Sequence, residues 1–171
     1  TKKLKNGDVI TDKKTNAIYK FANGALVYAG SKNANAATVT IPATYKRNGV
    51  TYKVTAIADN AFNGCKKLKT IKIGKNCTSI GKNAFKGCVA LKEITIPASV
   101  TKIGKSAFEK CKNLKKVTFL TTKLKSKSVG NNAFKGTAKN VKVTVPKKSS
   151  KAYKKFLKKK GFHKKAKYVA K

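Results

Sequence analysis

The sequence predicts an α+β solenoid, a stack of units of about 23 residues, each a strand followed by a short helical turn. A phrase recurs four times: NAFNGC ending at Cys65, NAFKGC at Cys88, SAFEKC at Cys111 and NAFKGT at Thr137. Its phenylalanines, Phe62, Phe85, Phe108 and Phe134, stand 23, 23 and 26 residues apart. A leucine or valine and an alternating apolar run follow each phrase. A fixed period of this size means stacked repeats, because one unit cannot bury its apolar face alone.

The alternating runs are Leu68 with Ile71 and Ile73, Leu91 with Ile94 and Ile96, Leu114 with Val117 and Phe119, and Val141, Val143 and Val145. A period of two predicts strands with these residues on the buried face. Ile80-Gly81, Ile103-Gly104 and Val129-Gly130 then turn the chain into the next phrase. Gly64, Gly87 and Gly136 suit the end of a short helical turn, where positive φ is often required. An earlier strand ending at Ile41 keeps the same register, and all three prolines, Pro42, Pro97 and Pro146, follow a strand at this one position. Proline lacks a backbone donor and fits a strand exit better than a strand interior.

From Ile41 to Ile73 is 32 residues, nine more than the period, and Asn48-Gly49 predicts a hairpin that absorbs the excess. The 26-residue step reflects three extra residues in the TTKLKSKS stretch. Residues 1–36 read as a β-meander and N-terminal cap, and residues 37–146 as the solenoid with its hairpin insertion near 44–54. Residues 147–171 read as a C-terminal helical cap, with Ser149 and Ser150 at its start, Ala152, Tyr153, Phe156 and Leu157 on one face and Gly161 at its end. All three form one structural domain, since a stack exposes apolar cross-sections that its ends must cover.

Formal charge is +37, from 42 basic and 5 acidic residues, and Arg47 is the only arginine. So basic a chain attracts polyanions. Lysine, however, gives a diffuse field rather than the bidentate fork that reads phosphates and guanine edges. No apolar run is long enough to span a membrane. The chain opens at Thr1 without a signal peptide and has no methionine, which suggests a mature fragment and leaves compartment open.

The unit IGKNAFKGCVALKEITIPASVTK resembles the BspA-like leucine-rich repeats of bacterial cell-surface proteins, whose pattern is an IG, an AF, a C and a strand ending in IP. The resemblance covers about Val39 to Pro146 and implies a leucine-rich-repeat-like stack in an extracellular or cell-wall setting, with roles in adhesion or protein binding. It does not name a ligand.

Cys65, Cys88 and Cys111 share one repeat position, where Thr137 replaces them, and Cys77 aligns with Val54 and Val100. Residues that interchange with threonine or valine read as small core groups. A disulfide framework is the rival reading. Against it, equivalent positions in stacked strands lie about 4.8 Å apart, wider than the roughly 3.8 Å between disulfide Cβ atoms. No metal or cofactor set is evident. His163 is the lone histidine, and the five carboxylates Asp8, Asp12, Asp59, Glu93 and Glu109 offer no facing pair, so no catalytic residue is predicted.

The candidate interaction surface is the outward sheet face. One row is Thr40, Lys72, Thr95, Thr118 and Thr144; its neighbour is Thr70, Glu93, Lys116 and Lys142, beginning at Thr38. Their hydroxyl and ammonium groups suit sugars or phosphates, although threonine also favours strands and lysine keeps an open face soluble. The expected partner is a protein or an anionic polymer, such as a wall polymer or acidic glycan, held by a salt-sensitive attraction to a monomer. The alternatives are sequence-blind nucleic-acid binding and a ligand-free spacer within a larger surface protein.

Overall fold

The structure, a computed structural model, describes residues 3–171; the first two residues of the N-terminal segment lie outside it. Strands β1 (Val9–Thr11), β2 (Ala17–Ala22) and β3 (Ala25–Ser31) form an antiparallel meander. After β4 (Thr38–Ile41), strands β5 (Thr44–Arg47) and β6 (Val50–Ile57) pair as a hairpin. Its turn puts Asn48 at φ 49° and Gly49 at φ 80°, the two left-handed residues that a two-residue hairpin turn requires. Long and short strands then alternate: β7 (Thr70–Ile73), β8 (Ser79–Ile80), β9 (Glu93–Ile96), β10 (Lys102–Ile103), β11 (Lys116–Phe119) and, with no short strand before it, β12 (Lys142–Val145). Helix α1 (Ser150–Leu157) and strand β13 (Lys167–Ala170) complete the chain.

Three ladders run along the stack. The first joins β3, β6, β8 and β10 in parallel, extended by a bridge from Ile103 to Val129. The second is built from the long strands, β4 with β7 and then β9, β11, β12 and β13, all parallel. The third lies in the AF phrases, where the expected short helices do not form.

In those phrases an α-helix would turn each N–H back onto its own chain. Here every second N–H crosses to the next repeat instead, while those between turn back within the phrase, as Asn63 N–H does to Asn60 O. Phe62 donates to Ala84 O and Gly64 to Lys86 O, both at 2.7 Å. Phe85 donates to Ala107 O at 2.7 Å, and Phe108 to Ala133 O at 2.7 Å. Asn60, Asn83 and Asn132 open the phrase at φ 59°, 54° and 58°, with Ser106 at 57° in their place once. Asparagine tolerates this left-handed backbone better than most residues, which explains the first letter of the phrase.

The phenylalanines stack through the core. Phe62, Phe85, Phe108 and Phe134 lie face to face with centroids 5.1, 5.1 and 5.3 Å apart and planes within 6°. Tyr28 of β3 extends the column at one end at 5.4 Å, and Phe162 of the tail extends it at the other at 4.3 Å. The tail imitates a repeat, since Lys160 O accepts the Phe134 N–H at 2.9 Å. Gly81, Gly104 and Gly130 serve close approach rather than turning: a Cβ on any of them would lie 2.3 to 2.4 Å from a backbone nitrogen of the preceding repeat.

The C-terminal segment departs from expectation twice. Tyr153, Phe156 and Leu157 are buried but Ala152 is exposed, so the apolar face of α1 is narrower than predicted. The segment also adds β13, which pairs with β12 and was not foreseen. The TTKLKSKS stretch is more than a loop: Tyr153 Oη donates to Thr121 O at 2.7 Å and accepts from Leu124 N–H at 3.0 Å, so the stretch forms the seat of the helix.

Lys110 stands at φ 62° where the other phrases place Gly64, Gly87 and Gly136, at φ 75°, 74° and 76°. A β-carbon in this region is disfavoured by about 1–2 kcal/mol, partly offset by glycine's larger unfolded-state entropy. Lys110→Gly is therefore expected to stabilise the fold by about 0.5–1 kcal/mol, raising Tm by about 2 °C in thermal unfolding. A lowered Tm would contradict the account of this turn.

Candidate interaction surface

The long-strand ladder carries the predicted rows. Parallel register places Glu93, Lys116, Lys142 and Lys167 side by side, all exposed, with Lys167 supplied by the unforeseen β13. Thr70 is exposed at the matching position of β7, where it pairs with Thr38 on β4. In the other row Thr40, Lys72 and Thr95 are exposed and Thr118 is half-buried. Thr144 is a correction: it is only 7% exposed. β13 brings Val169 into register beside it, so Thr144 is covered from Thr118 on one side and Val169 on the other.

The electrostatics of the face are lopsided. Glu93 meets Lys116 at 3.3 Å, leaving Lys142 and Lys167 without a carboxylate beside them in the row. The remaining acids are engaged elsewhere. Glu109 holds Lys86 at 3.0 Å, and this bond with the Lys86 ammonium keeps its carboxyl below the usual range. Asp59 accepts Lys82 N–H at 2.6 Å, Asp8 accepts Lys5 N–H at 2.9 Å, and Asp12 accepts Lys14 N–H at 3.1 Å.

The long-strand ladder is broken. No main-chain pairing joins β7 to β9, although all the other long strands pair with their neighbours in the stack. Leu120 N–H donates to Ile96 O at 3.0 Å, closing the β9–β11 pair just beyond its last residues. One repeat earlier the equivalent donor is Pro97, which has no N–H to offer Ile73 O. Pro146 has a smaller effect between β11 and β12, where pairing still covers Lys116 to Thr118 and only the last rung, at Phe119, is lost. Ile73, expected on the buried face, is consequently half-buried. A cleft of about 520 Å³ opens along the β7–β9 seam, and a smaller one of about 200 Å³ opens beside Pro146. Leu120, 55% exposed, borders both. The sequence marked the prolines only as strand exits, not as faults in the ladder; Leu120 carried no signal, being apolar where its repeat partners are proline or glycine.

The cysteines are all free. Cys88 Sγ donates to Phe62 O at 3.1 Å and Cys111 Sγ to Phe85 O at 3.0 Å, each reaching back one repeat to an AF carbonyl. Cys65 corrects the expectation of a buried group. Its phrase is the first in the stack, so no earlier AF carbonyl lies behind it, and it is half-exposed beside a cleft lined by Asn33 and Ala36. Burial pushes the thiols up, Cys77 to about 11 and Cys111 to about 12.

This arrangement of parallel strand rows on a regular turn ladder is that of a leucine-rich repeat protein. A family model, BspA type leucine rich repeat region, matches residues 32–162 with six copies. The chain belongs to that family. Its fold is similar to a leucine rich cell surface protein from Faecalibacterium prausnitzii, with TM-score 0.66 and 23% identity over 97% of this chain and 39% of that one. It is similar to the pneumococcal vaccine antigen PcpA, with TM-score 0.59 and 22% identity over 98% of this chain and 47% of that one. It also resembles the T. pallidum leucine rich repeat protein TpLRR, with TM-score 0.53 and 23% identity over 79% of this chain and 71% of that one. The chain spans less than half the length of the first two. No curated protein sequence matches it.

Native-state alkylation is expected to label Cys65 alone, with Cys77, Cys88 and Cys111 reacting only on unfolding; two or more adducts on the folded protein would contradict the burial pattern. The raised thiols also set a pH dependence. The folded state keeps protons that the unfolded chain releases, so their contribution is complete below the ordinary thiol range and declines as pH rises toward about 11, the value for Cys77. Cys77→Val, the residue at Val54 and Val100, is expected to flatten the alkaline loss of stability measured by urea unfolding. An unchanged slope would remove Cys77 as a cause.

Proposed function

We propose that the chain is a non-catalytic interaction module of a bacterial surface protein that binds an acidic macromolecule through its long-strand face. The observation that carries this reading is the row Glu93, Lys116, Lys142 and Lys167, three lysines for one carboxylate on adjacent strands. Like charges directly opposite one another in a sheet are destabilising. At a strand spacing of about 4.8 Å, a bound polyanion relieves that repulsion along the whole row.

The surface setting comes from family membership and from the neighbour described as a cell surface protein. Among the described residues, no helix is long and apolar enough to cross a membrane. The meander before the repeats and the helix-strand segment after them act as lids on the apolar ends of a monomeric stack. The lysine row supplies attraction and register but no base-reading fork, which favours an acidic wall polymer or protein segment over nucleic acid.

Titration with poly-glutamate at two salt concentrations tests the row. Replacing Lys116, Lys142 and Lys167 by Gln is expected to weaken binding and to lower the slope of log affinity against log salt by up to about 3. The exposed lysines Lys13, Lys14 and Lys20, changed to Gln, remove equal charge away from the row and should have a clearly smaller effect. Equal effects of the two triple variants would reduce the attraction to net charge and sink the site.

A further inference from the structure

The long-strand ladder ends at β4, whose one strand neighbour is β7. The N-terminal meander joins the first ladder through β3 and meets the ring column through Tyr28, so it leaves the outer edge of β4 without a strand. Alternation in a parallel ladder identifies the groups on that edge. Ala37 O accepts Thr70 N–H at 3.1 Å, so Ala37, Val39 and Ile41 turn their main chain to β7. The N–H and C=O groups of Thr38 and Thr40 turn away from it, and no strand among the described residues pairs with them.

An open strand edge is a template for another chain, and proteins usually guard it with lysine or another charge. This chain, with 42 basic residues, leaves β4 unguarded. Each other long strand carries an exposed charge, Lys72, Glu93, Lys116, Lys142 or Lys167, and Lys167 lies on the strand at the opposite end of the ladder. β4 reads TVTI, within the longest uncharged run of the sequence, Asn33 to Tyr45. Packing is incomplete at the same place. Val39 is half-buried, whereas Ile71, Ile94, Val117 and Val143, which share its place in the repeat, are buried. A cleft of about 190 Å³ beside it is lined by Phe62, Cys65, Leu68, Asn33 and Ala36. That is too small for a whole ligand, for which roughly 300–1,000 Å³ is usual, but it accepts one apolar side chain.

We propose that the outer edge of β4 binds an extended segment of a partner protein as an added strand, an uncharged stretch with one apolar residue, flanked by carboxylates. Its main chain bonds to Thr38 and Thr40, and the apolar side chain sits against Val39 in the cleft. At the entry of β4 its carboxylates face Lys32, which precedes the strand, and Lys69, whose N–H donates to Ala37 O at 2.8 Å. Both lysines are exposed and have no carboxylate partner among the described residues. Recognition of this kind draws affinity from main-chain bonds and selectivity from the side chains between them. A second copy of the chain is a poorer occupant, since it brings a further charge of +37 to an edge that offers only a four-residue strand.

The probe is the peptide Glu-Thr-Leu-Thr-Glu, followed by amide chemical shifts on the whole chain. It is expected to shift Thr38 and Thr40 and to slow alkylation of Cys65 in the adjoining cleft. Two analogues, N-methylated at one or the other alternate set of residues, identify the strand direction: the one methylated on the side facing β4 is expected to bind at least about tenfold more weakly. Replacing the peptide's leucine by serine leaves the cleft unfilled and is expected to cost at least about tenfold as well. Thr40→Pro removes a donor that β7 does not use, so the fold is expected to be retained while peptide binding falls at least about tenfold. Thr38→Pro, at the first residue of the strand, makes the same test should Thr40→Pro fail to fold. Absent shifts at Thr38 and Thr40, or full binding by both methylated analogues, overturns the proposal. So does a shift of these two amides that grows with protein concentration in the absence of peptide, which assigns the edge to a second copy. The site is separate from the lysine row: the Gln variants of Lys116, Lys142 and Lys167 are expected to keep peptide binding, and its loss in them overturns a distinct β4 site.

Discussion

Six aromatic rings in one column set the conditions for the rest of the molecule. From Tyr28 to Phe162 the rings repeat at 4.3 to 5.4 Å, close to the spacing of about 4.8 Å between hydrogen-bonded strands. Stacked rings and parallel strands thus share one repeat distance, and a chain that satisfies one satisfies the other. The crossing N–H groups of the AF phrases hold the rings at that distance, and the thiols of Cys88 and Cys111 add a weaker bond per repeat in the opposite sense, donating back to the preceding repeat. Extra residues are tolerated only outside this frame. The hairpin of β5 and β6 leaves the column before Phe62 unaltered, and the lengthened step before Phe134 folds outward to receive Tyr153.

The long-strand ladder has more freedom, because two other ladders already bind each repeat to the next. A proline that removes one rung is unaffordable in a sheet that stands alone, yet here Pro97 and Pro146 each loosen a junction without separating the repeats. The faults put clefts on the face that also carries the lysines. Structural redundancy in the turn ladder is what permits irregularity on the lysine-bearing face.

The column was legible in the sequence, since the phenylalanines recur at a fixed step; the prolines read only as strand exits, and the broken β7–β9 pairing was not foreseen. The AF phrases were misread as helical because a glycine at positive φ ends both a helix and a turn, and only the partner of each N–H distinguishes them. The opening asparagine held the missing information: Asn60, Asn83 and Asn132 start the phrase in a left-handed conformation that a helix would exclude. Strand β13 was hidden because Lys167–Ala170 sets Tyr168, Val169 and Ala170 in succession with no alternation, and its pairing partner, not its sequence, makes it a strand. From that one omission followed the misplacement of Thr144 and the failure to include Lys167 in the lysine row.

Charge explains why the proposed interaction falls to the outward positions. With 42 basic side chains and 5 acids, every carboxylate is engaged locally, and most lysines face only one another and solvent. Such a surface opposes folding by self-repulsion, so the frame must be stable without help from surface ion pairs, which contribute little in any case. Once the rings and ladders supply that stability, the outward residues are released from structural duty. A field of lysines draws any anion to the face but distinguishes poorly among anions. Selectivity then needs shape as well as charge, and on this face the shape departs most from a flat row at the clefts along the β7–β9 seam and beside Pro146.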